Sequence, residues 1–124
     1  MRMRKMKNLD SRMERCAALR VAEPARLRGN WRSLKPDAAQ LWVEVGCGKG
    51  KFTAETAAAN PDVLMIAVER CREAMVVAME KAQSMNLTNV FYIDMDVAGI
   101  EEIFAGQEID RLFINFPDPW PRKK

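Results

Sequence analysis

Apolar residues fall into short continuous blocks separated by stretches with a different period. Residues 41–45 (Leu-Trp-Val-Glu-Val) form a β-type run, and residues 63–68 (Val-Leu-Met-Ile-Ala-Val) form an unbroken apolar run. A block of this length with no polar alternation predicts a strand buried on both faces. Two further blocks, 90–93 and 111–115, predict a third and a fourth strand. Between the blocks the period becomes helical. Residues 51–59 are rich in alanine and stop at Asn60-Pro61, which predicts a helix. Residues 70–84 set Met75, Ala78, Met79 and Ala82 on one stripe and leave Arg72, Glu73, Glu80 and Lys81 for the wet side. Residues 97–104 predict a short helix with Ile100 and Ile103 inward. This alternation predicts βαβ units with right-handed crossovers, hence an α/β fold with a parallel sheet and flanking helices. In such sheets ligands sit beyond the carboxyl ends of the strands, near the point where strand order reverses.

Residues 1–40 do not follow that pattern and read as an arm ahead of a body spanning 41–124. Met13, Cys16, Ala17 and Leu19 recur at roughly helical spacing, which predicts a helical stretch over 12–21 that ends at Glu23-Pro24. Asn30, Pro36 and Asp37 mark turns. Charge separates the same two regions. The net charge of +3 conceals eleven Lys/Arg against three acids in residues 1–35, and nine Lys/Arg against fourteen acids in the remainder. A basic arm on a mildly acidic body suits a polyanion such as a nucleic-acid backbone. A solvated, partly disordered N-terminus would carry the same composition, and charge alone does not decide between them.

Composition narrows the chemistry. A length of 124 residues, 48% hydrophobic and 30% charged, is that of one globular domain with a single modest core. No apolar run approaches the roughly 20 residues of a membrane helix, and no signal peptide is readable. Three cysteines, Cys16, Cys47 and Cys71, lack metal-ligand spacing and fit a reducing cytosol, so a cytoplasmic protein without a metal is expected. The chain holds no histidine, which excludes Ser-His and Cys-His catalysis and His-dependent zinc sites within it.

The first strand runs into Glu44-Val-Gly46-Cys-Gly48-Lys-Gly50, a glycine-rich turn between a strand and a helix. Glycines there let the backbone turn tightly and approach a ligand with no Cβ in the way. A dinucleotide fingerprint would require glycine at position 51, where this chain has Lys51. Glu44, two residues ahead of the first glycine, is awkward beside a pyrophosphate and suitable for a cationic ligand such as the sulfonium nucleoside S-adenosylmethionine (SAM). Glu69 ends the second strand, nineteen residues past Gly50, where an acid can accept from both hydroxyls of a ribose. Asp94 and Asp96 follow the third strand, within range of an adenine amine, though either could serve only the turn. A glycine turn that merely reverses the chain is the bland alternative for the loop as a whole.

The last segment, from Asn115-Phe-Pro-Asp118-Pro-Trp120-Pro to Arg122-Lys-Lys124, holds three prolines in five positions and can continue neither strand nor helix. A stiff loop at the end of strand four would present a carboxylate, an aromatic ring and three cations beside the glycine turn. Such groups can meet a base edge, a base face and phosphate. A proline-rich turn with a solvated basic tail is the competing reading.

Taken together these residues resemble the bacterial tRNA (guanine-N7)-methyltransferases, class I SAM-dependent enzymes with a Rossmann-like fold that modify guanine 46 of tRNA. The resemblance rests on the opening Met-Arg-Met-Arg, Trp31, the loop from Glu44 to Gly50, Glu69, the Asp96 region and the Asn-Phe-Pro-Asp-Pro-Trp-Pro motif from Asn115 to Pro121. That last motif is specific to the family; the glycine loop is shared by class I methyltransferases at large. The resemblance implies that Glu44, Gly46, Gly48, Glu69 and Asp96 contact SAM, and that Asp118 both contacts the cofactor and is catalytic. Arg122 falls where the family has a substrate-contacting lysine. The partner implied is tRNA. The family continues beyond this motif with further strands, so an N-terminal fragment ending after the fourth strand, with that strand as an exposed edge, is expected. The alternatives are a class I enzyme acting on a nucleobase amine and a non-catalytic RNA-binding module or partner subunit. Amine methyltransferases carry an Asn/Asp-Pro-Pro-aromatic loop that Pro-Asp-Pro-Trp does not match.

Overall fold

The computed structural model describes residues 7–115 of the chain. Four parallel strands form one sheet: β1 (Gln40–Val45), β2 (Val63–Val68), β3 (Val90–Ile93) and β4 (Arg111–Ile114). Their spatial order is β3-β2-β1-β4, so strand order reverses between β1 and β4. The register places Val43 opposite Ile66 on one side and Leu112 on the other. Every residue of β2 is buried, as its unbroken apolar run requires.

Each sheet face carries its own core. On one face α2 (Lys51–Ala59) and α3 (Arg72–Ser84) cover Met65, Ala67 and Tyr92, with Ala57, Met75, Ala78, Met79 and Ala82 as the buried contacts. On the other face Leu41, Val43, Leu64, Ile66 and Ile93 pack with Ile103 and Phe104. Ile103 closes α4 (Ile100–Ile103), a single turn after a 3-10 turn at Val97–Gly99. The expected helix over 97–104 is therefore split, because the Asp96 side chain caps Ala98 at 3.0 Å and tightens the first turn.

The segment ahead of β1 takes part in both cores. α1 (Leu9–Arg15) sets Met13 and then Cys16 against the α3 face. The helix expected over 12–21 ends early, at a 3-10 turn (Ala17–Leu19), and Arg20 is extended, bridging β3 at Tyr92. The Val21 amide donates to the Tyr92 carbonyl at 2.9 Å, a backbone bond that a continued helix could not make. Val21, Leu27 and Leu34 then pack on the opposite face around Trp31. Trp31 is fully buried, stacks on Phe104 with ring centroids 5.0 Å apart, and donates its indole N–H to the Ile103 carbonyl at 2.7 Å. The segment thus passes from one face to the other around the outer edge of β3. β4 lies at the opposite edge of the sheet, with Leu112 and Ile114 exposed. Among the described residues no helix is long and apolar enough to cross a membrane.

Candidate functional site

The glycine turn begins where β1 ends, and Gly46, Gly48 and Gly50 all have positive φ, at 81°, 56° and 88°. Their reasons differ. A Cβ on Gly50 would lie 2.5 Å from the Ala78 Cβ, so this glycine lets the start of α2 press against α3. A Cβ on Gly48 would meet nothing within 4 Å: that position faces open space. The turn is fastened to β2 by the Gly46 and Cys47 amides, which both donate to the Val68 carbonyl at 2.8 and 3.3 Å.

Glu69 stands directly after β2 and joins two backbones. One carboxylate oxygen accepts from the Gly48 amide at 2.8 Å and the other from the Cys71 amide at 3.0 Å. This capture keeps Cys71 extended and starts α3 at Arg72, two residues later than its sequence pattern suggests. Each oxygen keeps a further lone pair for a ligand hydroxyl.

Glu44 is 1% exposed, near the end of β1. The Thr53 hydroxyl donates to one of its oxygens, and the Asn115 amide donates to the other at 3.0 Å. Its carboxyl is pushed above the ordinary glutamate range, first by burial and also by the nearby Glu69 charge; the two hydrogen bonds pull the other way. Burial likewise pushes the Cys47 thiol up, which makes it a packing residue and not a nucleophile. Since Asn115 touches Glu44, the end of β4 meets the end of β1 at the point where strand order reverses.

The two acids after β3 have separate partners. Asp94 receives a two-pronged Arg20 guanidinium at 3.1 and 3.2 Å, with Arg72 at 3.6 Å, and is largely buried. Asp96 caps Ala98, lies 3.6 Å from Arg70 and is mostly exposed. The sequence therefore brings Glu44, Gly46, Gly48 and Glu69 to one end of the sheet, with Asp96 at the end of the neighbouring strand. Asp118, Trp120 and Arg122 lie outside the described residues. Sequence reasoning did not single out Thr53 or Arg20. Thr53 was the more legible: a hydroxyl on the buried side of an alanine-rich helix needs a partner, and Glu44 is the last acid ahead of that helix.

Four parallel strands in this order, a glycine turn after the first and an acid after the second define a Rossmann-like class I methyltransferase fold. The crystal structure of the antibiotic-resistance methyltransferase Kmr is similar, with a TM-score of 0.61 and 26% identity over 73% of this chain and 48% of that one. Residues 38–124 match the family described as "Putative methyltransferase", and the chain belongs to that family. Its curated relatives include the tRNA (guanine-N(7)-)-methyltransferase of Halalkalibacterium halodurans, 41% identical over 84% of this chain and 47% of the relative. The enzyme of the same name from Bacillus licheniformis is 33% identical over the whole chain and 58% of its own length. The chain thus spans about half the length of the curated relatives it matches.

Proposed function

We propose that this chain carries the cofactor-binding portion of a tRNA (guanine-N7)-methyltransferase, which moves a methyl group from SAM to N7 of guanine 46. The observation that supports this most is Glu69, whose carboxylate bridges the Gly48 and Cys71 amides while keeping acceptor capacity toward a ribose. The residues fit a phosphate-free cationic nucleoside: the Gly48 side is open, and the acids at the strand ends would repel a pyrophosphate. When bound, SAM supplies an activated methyl group on sulfonium sulfur.

The protein's own part is placement. Gly46 and Gly48 admit the ligand to the backbone, Glu69 takes the ribose hydroxyls, Asp96 the adenine side, and Glu44 answers the cationic end. Guanine N7 has a free lone pair and carries no proton, so no side chain has to remove one before attack. Holding N7 in line with the methyl group can supply about 7–11 kcal/mol of the rate enhancement. Asp118 is assigned to the guanine, as a cofactor-contacting and catalytic acid, and Arg122 to tRNA.

Calorimetry with S-adenosylhomocysteine (SAH) tests the cofactor assignment. Glu69→Ala should weaken binding by roughly 10–100-fold, the range for hydrogen bonds to a charged group; an unaltered dissociation constant would remove the ribose role. In the full-length enzyme Asp118→Ala should lose most N7-methylguanosine formation on tRNA while retaining SAH binding to a larger extent, and unchanged turnover would remove the catalytic role. A non-catalytic RNA module would instead give no heat with SAH and a steep salt dependence with tRNA.

A further inference from the structure

We propose that Arg20 is a positioning residue for the cofactor site: its fork on Asp94 fixes the N-terminal segment across the carboxyl end of β3 and so sets the wall that carries Asp96. This rests on the cofactor reading above. The segment crosses from one sheet face to the other at Arg20–Val21, where Arg20 bridges Tyr92 through the backbone, the Val21 amide donates to the Tyr92 carbonyl, and the Arg20 guanidinium forks onto Asp94, two residues further along. Leu19 and Val21 pack into the cores on either side of the crossing, and the fork is the contact that reaches the turn after β3. A cavity of about 410 Å³ opens beside the crossing, lined in part by Arg20, Ala17, Ala22 and Arg72. Arg72, at the start of α3, lies 3.6 Å from the same carboxylate, so Asp94 gathers the segment, β3 and α3 at one point. Arg70 reaches Asp96 from the same connection at 3.6 Å. The turn 94–96 is therefore held from both sides, and Arg20 is the member with bidentate geometry, which fixes direction as well as charge.

The test is calorimetry with SAH on the whole chain, with thermal unfolding of the same samples. Arg20→Gln is expected to weaken SAH binding by about fivefold to tenfold, the scale of coupling through a positioning contact. Arg20→Lys keeps the charge without the fork and should recover part of the loss. Arg12→Gln is the matched control: it breaks an ion pair of the same kind, between α1 and Glu80 of α3, and should lower the unfolding temperature while leaving SAH affinity at the wild-type value. Unchanged affinity in Arg20→Gln, or an equal loss in Arg12→Gln, overturns the proposal. Failure of the wild-type chain to bind SAH overturns the cofactor reading instead.

Discussion

Glu44 shows how much a single residue can bear at this site. A carboxylate at the end of a buried strand is held by one hydroxyl and one amide, and burial still leaves its carboxyl raised. A raised folded value means that the native chain binds the proton more tightly than the unfolded one. Stability contributed by this group is therefore lost as pH climbs from the ordinary glutamate range through the folded value. Glu44→Gln should raise the denaturant midpoint at neutral pH and flatten its pH dependence, while weakening SAH binding; a lower midpoint at neutral pH would show that the charged form is fully compensated. The sequence made Glu44 legible as an acid beside a glycine turn. It did not reveal Asn115 as a partner, because a hydrogen bond across 71 residues leaves no periodic trace, whereas Thr53 lies only nine residues away.

At the scale of elements, the apolar blocks located the strands closely. β2 and α2 match their sequence patterns end to end, since β2 is buried on both faces and α2 is bounded by a glycine and by Asn60-Pro61. Boundaries shifted where an acceptor outside the helix captured a backbone amide: the Glu69 carboxylate at the start of α3, the Asp96 carboxylate before α4, and the Tyr92 main-chain carbonyl after α1. The 3-10 turns at Pro24–Leu27 and Trp31–Leu34 gave no sequence signal, being too short to show a period. Yet Trp31, in the second of them, fills the core on one face of the sheet. Trp31→Ala should cost about 3–5 kcal/mol, as for other buried aromatic truncations, read from chemical unfolding. A loss under about 1 kcal/mol would mean that this turn is dispensable to the sheet.

For the whole molecule, charge distribution gains meaning once the chain is folded. The basic excess of residues 1–35 suggests a handle for a polyanion, but three of those arginines pair with acids of the body: Arg12 meets Glu80, Arg20 meets Asp94 and Arg32 meets Asp110. Their partners lie 68, 74 and 78 residues away, beyond the reach of any local pattern. Glu80 is held below its ordinary range chiefly by the Arg12 hydrogen bond. Asp110 is lowered first by the Leu41 amide and also by Arg32. Lowered carboxyls contribute stability that is complete above their unfolded values and disappears as pH falls through the folded ones. Acid should therefore release residues 9–34 before it opens the sheet, seen as faster amide hydrogen exchange in α1 and around Trp31 than in β1 and β2. Simultaneous loss of protection throughout would show that these pairs do not govern the segment.

The two margins of the sheet are unequal. Beside β3 the Val21 amide is already bonded to Tyr92, whereas among the described residues β4 pairs only with β1 and leaves Leu112 and Ile114 exposed. Among the described residues, lateral pairing is thus engaged beside β3 and open along β4.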